Sequence, residues 1–227
     1  MYLITGASKG IGRLLFDYYT SKGQVVFGTY NRSKIVEPRN LGKVDVRSYE
    51  EVNKWISSLI EIEQPEELIL INCAGISYNA LAHKADLQKW EDVISVNLIG
   101  SFNTIRACLP YMREKNYGRI INFSSVVPQK GVIGTSAYSA SKAGLWGLAK
   151  TVAVENASKG ITINNINLGY FNIGMIEQVP EEFLGKIVAQ IPLGKLGSPE
   201  NIIQTVEYLQ SNDYITGASI DVNGGLH

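Results

Sequence analysis

The sequence predicts an α/β fold: one doubly wound sheet of seven parallel strands with helices on both faces. Short apolar runs alternate with longer amphipathic stretches along the whole chain, glycine and proline mark the joins, and no linker, repeat or low-complexity segment breaks the alternation. Strand, crossover and strand in one direction is what such alternation builds, and 227 residues suit a single domain of that kind.

The elements follow in order. Tyr2 to Thr5 is the first strand. It runs into Thr5-Gly6-Ala7-Ser8-Lys9-Gly10-Ile11-Gly12, and the apolar spacing of Ile11, Leu14, Leu15, Tyr18 and Tyr19 makes the next stretch a helix. Val25 to Tyr30 is the second strand. About a dozen residues, Pro38 among them, separate it from a third strand at Lys43 to Val46, so that crossover is expected to be loop-like or a single turn. Ser48 to Ile60 reads as a helix, with Asp45 either at the pocket edge or as its N-terminal cap. Leu68 to Asn72, Arg119 to Ser124, Thr162 to Leu168 and Ser219 to Val222 complete the strands, and Asp86 to Lys115 and Ala137 to Lys159 read as two long helices. Residues 172–192 combine glycines, acids and apolar side chains and read as a substrate lid or, as readily, an amphipathic surface helix.

Composition narrows the function. Lys plus Arg number 21 and Asp plus Glu 21, which gives no reason to expect nucleic acid as a partner. No apolar run approaches membrane-spanning length, nothing resembles an export signal, and Cys73 and Cys108 are expected to be buried, reduced thiols, so a cytoplasmic location is expected. No cluster has metal-ligand spacing, and His83 and His227 read as loop and tail residues, so no metal is expected.

The stretch that carries chemistry is Ser124-Ser125, followed by Tyr138-Ser139-Ala140-Ser141-Lys142. Tyr138 and Lys142 are four apart and share a helix face. A phenol is a poor acid or base at neutral pH, and lowering its pKa by about three units needs roughly 4 kcal/mol. One ammonium at about 4 Å supplies about that much at an effective dielectric near 20. An isolated Tyr-x-x-x-Lys is more often an ordinary surface pair. Here it is joined by the glycine-rich turn, where backbone N–H groups and a helix N-terminus suit a diphosphate.

Together these residues resemble the short-chain dehydrogenase/reductase family, from Met1 to the last few residues. Three residues separate Gly6 from Gly10, as in that family; Asn72-Cys73-Ala74-Gly75 is similar to its Asn-Asn-Ala-Gly turn; Trp90 to Leu98 resembles the helix that carries its Asn, here Asn97. Tyr214 to Gly217 and Asp221 to Gly225 resemble its C-terminal signature. Within the family the resemblance extends, at a shallower level, to 3-oxoacyl-[acyl-carrier-protein] reductases.

The resemblance implies a Rossmann-type fold, a nicotinamide dinucleotide and transfer of hydride to or from a carbonyl carbon. It places Tyr138 as proton donor, Ser125 on the carbonyl oxygen with Ser124 as an alternative hydroxyl, Lys142 on the ribose and lowering the phenol, and Asn97 on a proton-passing water. Gly6, Ser8, Lys9, Gly10, Ile11 and Gly12 would hold the diphosphate side, Asp45 and Val46 flank the adenine, Asn72, Ala74 and Gly75 pass beneath the ribose, and Gly169 and Phe171 complete the cofactor site. Leu168 and Ile173 depart from the Pro and Thr usual in relatives, and Asn172 could supply the lost hydrogen bond.

No acid follows the second strand. Asn31, Arg32 and Ser33 stand there, with Thr29 and Lys9 close by, and a forked cation suits a 2′-phosphate, so NADPH is expected over NADH. The leading expectation is a 3-oxoacyl thioester reductase, with acyl carrier protein as a candidate partner, for which Arg113, Lys115, Lys130 and Lys159 are available as basic contacts. A polyol, sugar or cyclic alcohol substrate, or a catalytically silent nucleotide-binding relative, are the alternatives. A homo-oligomer, a tetramer, is expected from the resemblance and from Ala143, Leu145, Trp146 and Leu148 beside Gly144 and Gly147.

Overall fold

A computed structural model describes residues 1–33, 40–174, 176 and 179–226. Seven strands form one sheet in the order β3-β2-β1-β4-β5-β6-β7. They are β1 (Tyr2–Thr5), β2 (Val26–Tyr30), β3 (Leu41–Lys43), β4 (Ile69–Asn72), β5 (Gly118–Ser125), β6 (Ile161–Leu168) and β7 (Ser219–Val222), and every pairing is parallel. The helices are α1 (Gly10–Ser21), α2 (Tyr49–Glu63), α3 (Leu87–Ile94), α4 (Gly100–Lys115), α5 (Val127–Lys130), α6 (Ser136–Asn156), α7 (Glu181–Val188) and α8 (Pro199–Ser211). This is the expected doubly wound sheet, and the strand order reverses between β1 and β4.

Both faces are covered because both faces of the central strands are apolar. Ile4, Ile71, Ile121 and Ile166 pack with Leu15 and Phe16 of α1 and Ile202 and Val206 of α8, whereas Leu3, Leu70, Ile120 and Ile163 pack with Val52, Ile105, Met112 and Val152 of α2, α4 and α6. Successive residues of one strand thus feed two cores.

On the α4/α6 face the apolar layer stops short of the carboxyl ends and a row of side-chain amides replaces it. Thr104 Oγ1 donates to Asn72 Oδ1 (2.8 Å), Asn72 Nδ2 to Asn122 Oδ1 (2.9 Å), Asn122 Nδ2 to Asn165 Oδ1 (3.1 Å), and Asn165 Nδ2 to Ser219 Oγ (3.0 Å). The same residues are register partners, so the row crosses β4, β5, β6 and β7 at one level.

Three elements differ from expectation. β3 ends at Lys43 instead of Val46, because the Asp45 N–H is taken by Glu51 Oε2 (2.9 Å) and the Asp45 carboxylate accepts from the Arg47 N–H (3.0 Å), which turns the chain out of the sheet. The cap of α2 is Ser48, whose side chain accepts from the Glu51 N–H, so Asp45 is not the cap. The expected single helix from Asp86 to Lys115 contains a π-helical turn at Ser95–Ile99 between α3 and α4, and Asn97 at its centre is fully buried. The short crossover after Tyr30 falls largely on residues 34–39, outside the described residues.

Replacing Asn122 tests the amide row. It is fully buried and serves as acceptor for one neighbour and donor to the next. Asn122→Ala strands a buried donor on Asn72 and a buried acceptor on Asn165, and is expected to lower unfolding stability by about 2–4 kcal/mol. A denaturant midpoint shift at unchanged m-value reads this out.

Candidate active site

At the carboxyl end of β1 the chain enters α1 through two glycines that nothing larger can replace. Gly6 has φ +66°, and a Cβ there would lie 2.8 Å from Ala74 Cα; a Cβ on Gly12 would lie 2.4 Å from the Gly6 carbonyl oxygen. The turn therefore packs directly on the chain after β4. Lys9 precedes α1 in extended conformation, and the helix has no side-chain cap and no acid in its first turn, so no side chain satisfies its first N–H groups as a cap would. Such a cradle fits a diphosphate, which supplies the charge that an uncapped helix start attracts. Ser8 and Ser33 hydroxyls lie 2.9 Å apart and tie the turn to the loop after β2, where Asn31 and Arg32 are exposed. Thr29 does not join them: it is buried, and its Oγ1 accepts from the Gly6 N–H (3.2 Å).

The turn after β4 is held from two sides. Thr5 Oγ1 accepts from the N–H groups of Cys73 (3.1 Å) and Ala74 (3.0 Å). Asn97 Oδ1 accepts from the Ile76 N–H (2.8 Å), and Asn97 Nδ2 donates to the Ile76 carbonyl (2.9 Å) and to Ser141 Oγ (3.0 Å). The π-helical turn thus aims one amide at both the β4 turn and α6. Asn72 itself is buried in the amide row, which leaves only its backbone for a ligand. A Cβ on Gly75 would lie 3.4 Å from Asn97 Oδ1 and 3.7 Å from Lys142 Nζ, so the glycine brings all three together.

β5 and α6 supply the remaining groups. Ser125, at the end of β5, is buried and its Oγ accepts from the Val127 N–H (3.1 Å). Ser124 points elsewhere: its hydroxyl donates to the Lys142 carbonyl (3.0 Å) and accepts from Trp146 Nε1 (3.0 Å), so of the two hydroxyls Ser125 is the one beside the phenol. Burial pushes the Tyr138 phenol above its ordinary pKa, and interaction with the Ser125 hydroxyl only partly opposes this. The expected depression by Lys142 is not found. Lys142 Nζ lies 5.6 Å from the Tyr138 ring centroid and donates instead to the Phe123 carbonyl (2.6 Å). Burial brings the Lys142 pKa down to about 8. Four residues of spacing put the side chains on one face, but the nearby β5 carbonyl captured the ammonium.

Other expected residues fall into place unevenly. Val46 is buried, held by Asn103 Nδ2 on its carbonyl (2.9 Å), and packs against Gly100. Ile11 packs on the core beside the turn. Gly169 lies against Asn223, where a Cβ would meet Asn223 Cα at 2.7 Å. The Phe171 ring is buried in the core over Gly197, so only its backbone borders the site. Leu168 extends β6 into register with Val222, and the partly buried Ile173 side chain packs against the core. Asn172 is exposed at the rim, its N–H bound to the Gly197 carbonyl (2.9 Å). Of the expected lid, α7 is a helix with Phe183 exposed; residues 175, 177 and 178 lie outside the described residues. Residues that the sequence reading missed include Thr5, Ser141 and Tyr170, the last close enough to the Tyr138 phenol to act on its charge.

Two surface expectations are corrected. Arg113 and Lys115 end α4, and Lys159 precedes β6, so all three sit at the amino ends of the strands, away from the site; Lys130 alone of the four stands near the carboxyl ends, beside Gln190 (3.4 Å). On α6, Leu145 is core, Gly144 packs on Leu98 and Trp146 Nε1 donates inward to Asn167 (2.9 Å), so these three face their own chain, whereas Gly147 is exposed and Ala143 and Leu148 are half-buried. Exposed apolar residues on α4, α6 and the π-helical turn include Phe102, Val154 and Ile99.

Comparison with known proteins agrees with this geometry. The family model described as short chain dehydrogenase matches residues 1–183. The chain belongs to the short-chain dehydrogenase/reductase family. It is 40% identical to an acetoacetyl-CoA reductase of Rhizobium meliloti, over 99% of this chain and 97% of that protein, and 38% identical to an acetoacetyl-CoA reductase of Shinella zoogloeoides, over 98% and 96%. It is 35% identical to a 3-oxoacyl-[acyl-carrier-protein] reductase of Haemophilus influenzae, over 99% and 97%. As a member of this family it is an NAD(P)-dependent oxidoreductase acting on C=O or CH–OH groups. Among the described residues no helix is long and apolar enough to cross a membrane.

The buried ammonium gives a pH-dependent stability. Lys142 is down to about 8 in the folded state against 10.5 when free. Below pH 8 both states are protonated and the folded state bears the full cost of the buried charge; between pH 8 and 10.5 the unfolded state holds more protons at this group, so the Lys142 contribution to stability rises with pH. Lys142→Met removes that dependence. The unfolding free energy of wild type relative to the variant, read from denaturant melts, is expected to rise by up to about 3 kcal/mol between pH 7.5 and 10.5.

Proposed function

We propose that the protein reduces the 3-oxo group of acyl thioesters with NADPH, and that residues 1–227 act as one domain with 172–192 as its lid. The observation that carries this reading is the meeting of Ser125, Tyr138, Lys142 and Asn97 beside a glycine cradle at one end of the sheet. A reduced nicotinamide bound there supplies a hydride to the carbonyl carbon. Tyr138 delivers the proton to the carbonyl oxygen, and its raised pKa keeps the phenol protonated, the form that reduction needs. Ser125 holds the same oxygen by a hydrogen bond. Lys142 contributes a positive charge and ribose contacts, and its anchor on the Phe123 carbonyl fixes its reach. Asn97 keeps the β4 turn and α6 at one separation, and its water-holding role in proton transfer belongs to this proposal.

Gly6, Ser8, Lys9, Gly10, Ile11 and Gly12 would line the diphosphate, and the Asn72, Ala74 and Gly75 backbone the ribose. Asp45 and Val46 would border the base, and Gly169 and the Phe171 backbone the nicotinamide side. Arg32, Asn31 and Ser33, with Lys9, favour a 2′-phosphate. The three relatives' names point to thioesters, two on coenzyme A and one on acyl carrier protein. Three of the four basic residues expected for an acidic carrier protein lie at the far end of the sheet, which leaves Lys130 for that contact. Exposed Phe183 on α7 suits an acyl chain better than a sugar. A homotetramer packed through α4 and α6, with Phe102 and Val154 covered, and a cytoplasmic location for a chain with two free, reduced cysteines complete the proposal.

Assay of 3-oxoacyl thioesters on both carriers, with small ketones and polyols alongside, tests the reading; turnover confined to polyols or sugars would overturn it. Tyr138→Phe keeps the ring and loses the proton, and is expected to cut kcat by a factor of about 10² to 10⁴ while cofactor affinity changes little. In the wild type, kcat/KM is expected to favour NADPH, and Arg32→Ala to move the ratio toward NADH by roughly tenfold through loss of a charge-assisted contact.

A further inference from the structure

We propose that Arg47 sets the base selectivity of the cofactor pocket by masking Asp45, so that the pocket accepts a 6-oxopurine about as readily as a 6-aminopurine. This rests on the dinucleotide reading above and adds a residue to it. A cavity of about 390 Å³ opens just past the carboxyl end of β3, lined by Asp45, Arg47, Ser48, Ser95 and Ile99. Asp45 lies at its edge, where an unmasked carboxylate would accept a hydrogen bond from an adenine 6-amino group and repel a 6-oxo group.

The carboxylate is not open to such a bond. Arg47 Nε reaches both of its oxygens (3.0 and 3.1 Å), Nη2 takes Oδ2 (2.7 Å), and the Arg47 backbone N–H takes Oδ1 (3.0 Å). Asn31 hydrogen-bonds it as well. The arginine is held on its other side by Asp92 of α3, Nη1 to Oδ1 at 3.2 Å, and its carbonyl accepts from Asn103 Nδ2 (3.2 Å). What the edge presents to a base is therefore a guanidinium. It offers five N–H donors and no acceptor. The bonds just described use three of its side-chain N–H groups, so two remain to meet a 6-oxo oxygen or the N7 that both purines share. The side chains of Arg47, Asp45 and Asp92 are 34%, 22% and 32% exposed, so the cluster contributes little to folding and is open to a ligand.

The plainer reading is that Arg47 only staples the loop to α3. Dissociation constants for NADPH and for its hypoxanthine analogue, measured by quenching of the protein's tryptophan fluorescence, separate the two without recourse to turnover. Wild type is expected to bind both within about threefold. Arg47→Ala exposes Asp45 and is expected to shift the ratio toward adenine by about tenfold, and Asp45→Asn in the Arg47→Ala background to return it. If Arg47→Ala does not fold, Arg47→Gln, which cannot fork onto the carboxylate, is read by the same ratio. A wild type that already rejects the hypoxanthine analogue by more than about tenfold, or a ratio unmoved by the substitution, overturns the inference. Wild type that binds neither dinucleotide would remove the cofactor reading itself, and this inference with it.

Discussion

The row of buried amides from Thr104 through Asn72, Asn122 and Asn165 to Ser219 is the constraint on which the rest of the structure depends. A parallel sheet with apolar residues on both faces has little to oppose a slip of one strand against the next, since one isoleucine replaces another at modest cost. An amide that must meet its partner at 2.9 Å in a dry interior does oppose it, because a slipped register would leave several donors and acceptors unpaired. The row lies just below the carboxyl ends of β4, β5 and β6. It therefore levels the strands from which the β4 turn and Ser125 emerge, and those ends are the floor of the site.

A second set of buried polar contacts builds upward from that floor. Asn97 clamps the β4 turn and α6, Ser124 and Trp146 fasten α6 to β5 and β6, and the Phe123 carbonyl anchors Lys142. The π-helical turn makes the first of these possible. A regular helix through Ser95 to Ile99 would present its side chains one position differently, and Asn97 would lose one of its two targets. Burial has an electrostatic consequence that runs against the simplest view of a Tyr-Lys pair. It raises the phenol and lowers the ammonium, so the two pKa values are driven apart, and the phenol stays a proton donor.

Much of this was legible in the chain. The alternation of apolar runs and the glycine turn located all seven strands within a few residues, and the spacing of Ser125, Tyr138 and Lys142 picked out groups that do meet. β3 was misplaced because Val44 and Val46 look like strand residues, while the side chains of Asp45 and Glu51, which pull the backbone away, carry no periodic signal. The α6 residues expected to meet another copy divide for a related reason. Gly144 and Trp146 belong to that set by spacing, but Leu98 fills the space over the one and buried acceptors draw in the other, while Gly147 stays exposed.

By itself the sequence determined the fold class, the order of the elements, the membership of the family and the identity of the groups that gather at one end of the sheet. Those properties follow from local periodicity and from short spacings, which a chain carries whatever its partners. Only the tertiary structure decided that the Lys142 ammonium goes to the Phe123 carbonyl and not to the phenol, that Asn72 serves the sheet with its side chain and can serve a ligand only with its backbone, and that Arg47 covers Asp45. Each of these is a competition between acceptors far apart in sequence. The winner depends on distance and burial, which no spacing along the chain records.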